Sequence, residues 1–313
     1  TCAIENLGEG VSQALGTGGR DLKSEKVGGK MMLMGIEALK NDESTKVITV
    51  ISKPPHESVA DKVIGALEKS GKPAVVHFIG LEKRPAQGNV HYAGNLEEAA
   101  GLSVALARGE SYEERTFTIP EAEVERIVAE ETKGMAKEQR YLRGMYTGGT
   151  LADEAVILLS DTLGGIYSFD SKDEQFILKD PQVSEKNTVV DLGEDVFTVG
   201  RPHPMIDPSI RTERMEKEAE DSEVALFLLD CVLGYGSHGD PAGAMVPAIK
   251  AAKEAAAARG GYLSVVASIT GTTGDQQNIA EQKRTLEAAG VVVMPSNYQA
   301  SMLALKIMEK VGR

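Results

Sequence analysis

Residues 198–211 read TVGRPHPMIDPSIR and bring a guanidinium (Arg201), an imidazole (His203) and a carboxylate (Asp207) into one short segment with prolines at 202, 204 and 208. Proline fixes φ, removes a backbone donor and biases the residue before it toward extended backbone, so this stretch joins neither helix nor sheet and holds its side chains in set directions. A histidine titrates near neutral pH, and with a carboxylate to orient it His203 and Asp207 would form an acid/base pair. Arg201 would grip a phosphate or carboxylate at two points. The competing reading is a strap whose polar groups satisfy one another and the neighbouring backbone, and the sequence leaves both open.

Four glycine clusters supply a second kind of chemistry: GTGGRDL (16–22), YTGGTLADEA (146–155), LGYGSHGDPAGA (233–244) and TGTTGD (270–275). Glycine lets backbone N–H groups approach an anion closely, and a following helix adds the positive end of its dipole. The candidates are the backbone of Gly18 and Gly19 with the side chain of Arg20, the hydroxyl and amides of Thr147, Gly148 and Gly149, and the amides of Gly234, Tyr235 and Gly236. Glycine also shapes tight turns in domains that bind nothing, and Arg20 has the alternative of an ion pair with Asp21. Asp240 is expected to cap a helix with His238 as a ligand contact, His77 reads as structural, and His56 falls at the ligand edge or in solvent. Neither Cys2 nor Cys231 has a partner base or a metal-ligand spacing.

These residues must be carried by regular elements. The runs VITVIS (47–52) and AVVHFIG (74–80) flank a helical pattern, and NVHYAG (89–94) leads into another helix: short β-branched strands alternating with helices, the signature of a parallel sheet. The plan returns with strands at 224–234, 262–271 and 291–296 and helices over 241–258, 275–289 and the C-terminal end, so the chain reads as an internal duplication. Residues 121–143, charged and helical in pattern, read as the connector. The expectation is α/β: two flavodoxin-like parallel-sheet domains over 1–108 and 144–313, with a helical linker over 109–143.

With 313 residues and 42% hydrophobic content the chain has enough apolar material for two cores, and a formal charge of −13 without a basic stripe argues against nucleic acid or an anionic membrane surface as partner. No apolar run approaches the roughly 18 residues that span a bilayer, and two distant cysteines suit a reducing, cytoplasmic setting.

The segment GTGGRDL, followed by DESTKVITVISKPPHESVADKVIGALEKSGKPAVVHFIG, resembles the CoA-ligase domain of the succinyl-CoA synthetase α-subunit, and MYTGGTLADEA with LFLLDCVLGYGSHGDPAGAMVPAI is similar to the β-subunit. Both in one chain, together with DLGEDVFTVGRPHPMIDPSIR, resemble the FdrA family. The resemblance implies an acyl-CoA synthetase-like chain that holds a small carboxylate or an acyl phosphate between its two domains. The implied ligands are CoA or an acyl or carbamoyl phosphate, with no metal or nucleotide site evident. The implied assembly is a homodimer or a complex with separate catalytic chains. The segment departs from the α-subunit pattern between VVHFIG and NVHYAG, where LEKRPAQG replaces the loop of the phosphorylated histidine and the helix after it, and His91 falls on a strand. Carbamoyl transfer of the oxamate carbamoyltransferase kind and a non-catalytic scaffold are the alternatives.

Overall fold

The computed structural model describes residues 1–312, which divide into two compact units, the first ending at Glu114 and the second beginning at Arg115. In the first, helices α1 (Cys2–Asn6) and α2 (Lys30–Asn41) precede β1 (Ile48–Ser52), α3 (Glu57–Glu68), β2 (Ala74–Phe78), β3 (Val90–Tyr92) and α4 (Leu96–Arg108). The three strands pair in parallel in the order β1-β2-β3. Alternation along the strands divides the core: Ile48, Val50 and Val76 pack with Ile36 of α2 and Val59, Val63 and Leu67 of α3, while Val75 packs with Ala99 of α4. Residues 79–89 join β2 to β3 without a helix and carry no histidine.

The second unit contains α5 (Glu121–Thr132), β4 (Tyr141–Tyr146), α6 (Gly149–Leu163), β5 (Thr188–Asp191), α7 (Asp195–Thr198) and α8 (Ser209–Glu218), then β6 (Val224–Val232), α9 (Pro241–Ala258), β7 (Ser264–Thr270), α10 (Ile279–Ala288), β8 (Val292–Met294) and α11 (Asn297–Val311). Its five strands are all parallel, in the order β5-β4-β6-β7-β8. Numbered within the unit this is 2-1-3-4-5, the flavodoxin-like order, and the expectation of flavodoxin-like parallel sheets holds. Residues Met145, Phe227, Leu229 and Cys231 face α8, α9 and α10, whereas Leu142, Tyr146, Leu226 and Leu228 face α6 and α11. Helices cover both faces, so β6 is apolar along nearly its whole length.

Three readings change. Residues 121–143 are not a solvated linker: α5 buries Val124 completely in the second core and Tyr141 already opens β4. Strand β5 was not read from the sequence at all. In the first unit no helix starts at the 16–22 glycine cluster; those residues form a turn and α2 begins at Lys30, capped by Gly29 at φ +71°.

Candidate functional site

Where strand order reverses, the strand ends diverge and leave a crevice, which in this unit lies at the carboxyl ends of β4 and β6. The residues there are Tyr146-Thr147-Gly148, leading into α6, and the loop 233–240, leading into α9. Between them stands Asp230, on β6 and fully buried. Its carboxylate accepts the Thr147 amide (3.0 and 3.1 Å to its two oxygens), the Thr147 hydroxyl (3.0 Å) and the Gly148 amide. Arg211, itself 2% exposed, donates from Nη1 to Oδ1 of Asp230 at 2.7 Å and to its carbonyl at 2.6 Å. Burial pushes the Asp230 carboxyl above its ordinary range, against the pull of Arg211 and of the Thr147 and Gly148 donors. The positive end of α6 therefore faces a carboxylate of the chain itself.

A second carboxylate fixes the glycines. A Cβ on Gly149 would stand 2.5 Å from Oδ2 of Asp191, at the end of β5, and one on Gly148 would stand 3.3 Å from Oδ2 of Asp230. Close approach by these two aspartates requires glycine at 149 and favours it at 148. Around this point buried polar atoms without a protein partner are Ser268 Oγ, Asn297 Oδ1 and Arg211 Nε, while the Tyr146 and Ser301 hydroxyls face each other. Ser268 pairs with Asp230 in the β6–β7 register. Such atoms cost about 1–3 kcal/mol each when left dry, and native folds keep them rarely.

The loop 233–240 is held from beneath. Gln277 accepts the Gly234 amide (3.2 Å) and donates to the Gly234 carbonyl (2.7 Å), His238 donates its amide to the Met205 carbonyl (2.7 Å), and Asp240 caps α9 through the Gly243 amide (2.9 Å). Asp240 is thus the helix cap expected from sequence. Tyr235 is 97% exposed, and the amides of Tyr235 and Gly236 meet no protein acceptor among the described residues. Of the donors expected to serve a ligand, those of Thr147 and Gly148 and the Gly234 amide are engaged within the protein; those of Tyr235 and Gly236 are open.

The proline-rich segment acts as a strap. A Cβ on Gly193 would stand 2.3 Å from Nε2 of His203 and 3.1 Å from Oδ1 of Asp191, so the imidazole and that carboxylate both flank Gly193. Nδ1 of His203 accepts the Met205 amide (3.2 Å). Asp207 accepts the Ser209 amide (3.0 Å) at the start of α8, so no side-chain hydrogen bond makes His203 and Asp207 the dyad read from sequence. Arg201 pairs bidentately with Glu213 (2.7 and 2.7 Å) and donates to Ser209 (3.0 Å).

In the first unit Gly18, Gly19 and Arg20 lie on an exposed turn, and Asp21 takes the anion seat of α2, accepting the amides of Met31 (3.0 Å) and Met32 (2.9 Å). Asp21 therefore serves α2 rather than Arg20. His77 is buried and donates Nδ1–H to the Ala93 carbonyl (2.9 Å), the structural role expected of it. Burial pushes the Cys231 thiol up to about 12, far from a thiolate at neutral pH. Sequence reading missed Asp191, Asp230 and Arg211. A lone aspartate inside each of the apolar runs TVVDLG and LFLLDCV was the available signal, because an unpaired buried carboxylate is too costly to be incidental.

A family model for CoA-ligase matches residues 145–307, from the end of β4 into α11. The chain belongs to the CoA-ligase family. The uncharacterized protein YahF of Escherichia coli (strain K12) is 41% identical over 310 residues, which cover 98% of this chain and 59% of that protein, so this CoA-ligase chain spans about three fifths of the curated relative it matches. Among solved structures, the dinucleotide-forming acetyl-coenzyme A synthetase 1 of Ca. Korarchaeum cryptofilum in complex with phosphate and ADP is 15% identical, with 90% of this chain and 56% of that one covered and a TM-score of 0.37. The ATP citrate lyase of Methanothrix soehngenii in complex with citrate and coenzyme A is 11% identical over 90% of this chain and 37% of that one, with a TM-score of 0.33. No described helix is long and apolar enough to cross a membrane, and no described group of histidine, cysteine and acidic side chains is arranged to hold a metal ion.

Proposed function

We propose that the second unit binds a small carboxylate or an acyl phosphate at the carboxyl ends of β4 and β6, as one chain of an acyl-CoA synthetase-like protein of the FdrA kind. The observation that supports this most is the convergence of unpartnered buried polar atoms, Ser268 Oγ and Arg211 Nε among them, on the switch point of a CoA-ligase unit. In this reading Asp230 and Arg211 position Thr147, Gly148 and Gly149, and the open amides of Tyr235 and Gly236 meet the ligand's oxygens. His203, with Nε2 beside Gly193, is the acid/base group of this reading. Asp207 shapes the start of α8, Arg201 is tied to Glu213, and Gly18, Gly19 and Arg20 stand outside the proposed site.

These groups suit the carboxylate or phosphoryl end of a ligand, not the bulk of CoA, and no step is routed through CoA. A carbamoyl-transfer chain acting on an oxamate-like substrate is the second reading, favoured by the absence of a histidine from the β2–β3 connection at 79–89.

Thermal-shift titration with acetyl phosphate, carbamoyl phosphate, succinate and oxamate tests the proposal. A ligand at a hundred times its Kd adds about 2.7 kcal/mol of stability. A Cβ on Gly236 meets nothing within 4 Å, so Gly236→Asp should fold normally and repel the anion. A folded Gly236→Asp chain that is stabilised as strongly as the parent would defeat the proposal, as would a parent that none of the four ligands stabilises.

A further inference from the structure

A cleft of about 180 Å³ opens on the α8 side of the second unit. Its apolar lining is Leu192, just past β5, Phe197 of α7 and Ile210 of α8, and its polar rim includes Arg201, Glu213 and Lys217. It shares no lining residue with the α6 start or the 234–236 loop.

Its electrostatics run against those of the chain, which carries −13 overall. Arg214, also in the lining, is buried and donates to Glu218, Ser184 and the Pro181 carbonyl. Lys217 has only the Gln182 carbonyl (2.7 Å) and no ion pair among the described residues. Arg201 and Glu213 are 39% and 59% exposed, and an ion pair so open to water is weak enough to exchange partners. The cleft thus offers one cation held only by a backbone carbonyl, a second cation held by one exposed carboxylate and the Ser209 hydroxyl, and the edges of three largely buried apolar side chains beside both. Such a lining fixes a ligand's orientation with few polar groups while the apolar body is covered.

We propose that this cleft is a second ligand site, for a small monocarboxylate with a short aliphatic body: the carboxylate at Lys217 and Arg201, the chain along Leu192, Phe197 and Ile210. Inorganic phosphate lacks the body and an alcohol lacks the charge, so both bind less well. Glu213 competes with the ligand for Arg201.

Isothermal titration of the whole chain with hexanoate, hexanol and inorganic phosphate tests this. Hexanoate is expected to bind more tightly than either other probe. Losing one charge-assisted contact weakens binding by about tenfold or more, which is the effect expected of Lys217→Met. Glu213→Gln, which removes the internal competitor, is expected to tighten it. Gly236→Asp is expected to leave hexanoate binding unchanged. The proposal is overturned if the parent gives no hexanoate binding at millimolar concentrations, if phosphate or hexanol binds as well as hexanoate, if Lys217→Met and Glu213→Gln variants with parental melting temperatures bind as the parent does, or if Gly236→Asp abolishes binding and so assigns hexanoate to the other edge.

Discussion

Arg211 and Asp230 form a buried ion pair, Nη1 to Oδ1 at 2.7 Å with side chains 2% and 0% exposed, and through Asp230 the pair fixes the start of α6. Removing one partner of such a pair leaves an uncompensated charge and costs about 3–5 kcal/mol, whereas replacing both with apolar groups costs far less. Arg211→Met is therefore expected to lose about that much stability in urea unfolding at neutral pH, and Arg211→Met/Asp230→Leu to be less damaged than the single variant. The sign with pH follows from burial, which already raises the Asp230 carboxyl. Without Arg211 it rises further, so the folded variant favours the protonated form, and its deficit narrows as the pH falls through that raised value.

Gly149 and Asp191 make a second testable pair. Alanine at the first position of a helix would ordinarily be neutral or better than glycine, by up to about 1 kcal/mol. Here its Cβ would meet Asp191 Oδ2 at 2.5 Å. Gly149→Ala is expected to destabilise by about 1–3 kcal/mol, and to become neutral or stabilising in an Asp191→Ala background. A double-mutant cycle read by thermal unfolding gives the coupling. An equal cost in both backgrounds would show that the contact is not what requires glycine.

A third prediction concerns Glu218, which is buried and receives Nε of Arg143 (2.7 Å), Nε of Arg214 (2.6 Å) and the hydroxyl of Ser184 (2.5 Å), tying β4, α8 and the 181–187 segment together. Burial pushes its carboxyl up, but Arg214, Arg143 and Ser184 more than reverse this and hold it below the usual range. A depressed carboxyl adds stability above the unfolded value of about 4.3 and loses it as the pH falls through the folded value. Glu218→Gln should therefore be less stable than the parent by about 3–5 kcal/mol at neutral pH, and the two unfolding curves should converge in acid. A gap that persists unchanged in acid would assign the cost to packing.

The two thiols should differ sharply. Cys231 is buried and Cys2 is partly exposed. A thiol-reactive dye is expected to label Cys2 rapidly in the folded chain and Cys231 only at the rate of opening, with both equal in denaturant. Fast labelling of both in the native chain would show that β6 is far less protected than described.

The strands most legible in the sequence were those buried on both faces, because a nearly unbroken apolar run such as AVVHF or VALFLLDCV has few other homes. Strand β4 was hidden because YLRGMY carries Arg143 and Gly144. Arg143 is tied to Glu218 and Asp221, and Gly144 makes room for Val189, and neither fact is local. Strand β5 is short and follows a long irregular segment. The glycine clusters of the second unit were found where expected, but not the purpose of Gly148 and Gly149, since the groups they accommodate, Asp191 and Asp230, stand far along the chain. Likewise the strap 198–211 announced its stiffness through its prolines, while its principal delivery, Arg211 into the core, depended on a partner 19 residues on.

Asp21 and Asp230 together give the chain a property that neither glycine loop suggests. Each is a resident carboxylate seated against a helix start, α2 in one unit and α6 in the other. A group bound to the same chain acts as though dissolved at a high, fixed local concentration that dilution never lowers. Carboxylates and phosphates in free exchange thus meet two helix starts where a resident carboxylate is already seated, so swings in the surrounding anion pool do not displace Asp21 or Asp230. Selectivity follows from this insulation: an external anion gains a foothold only by offering oxygens to amides the residents do not reach.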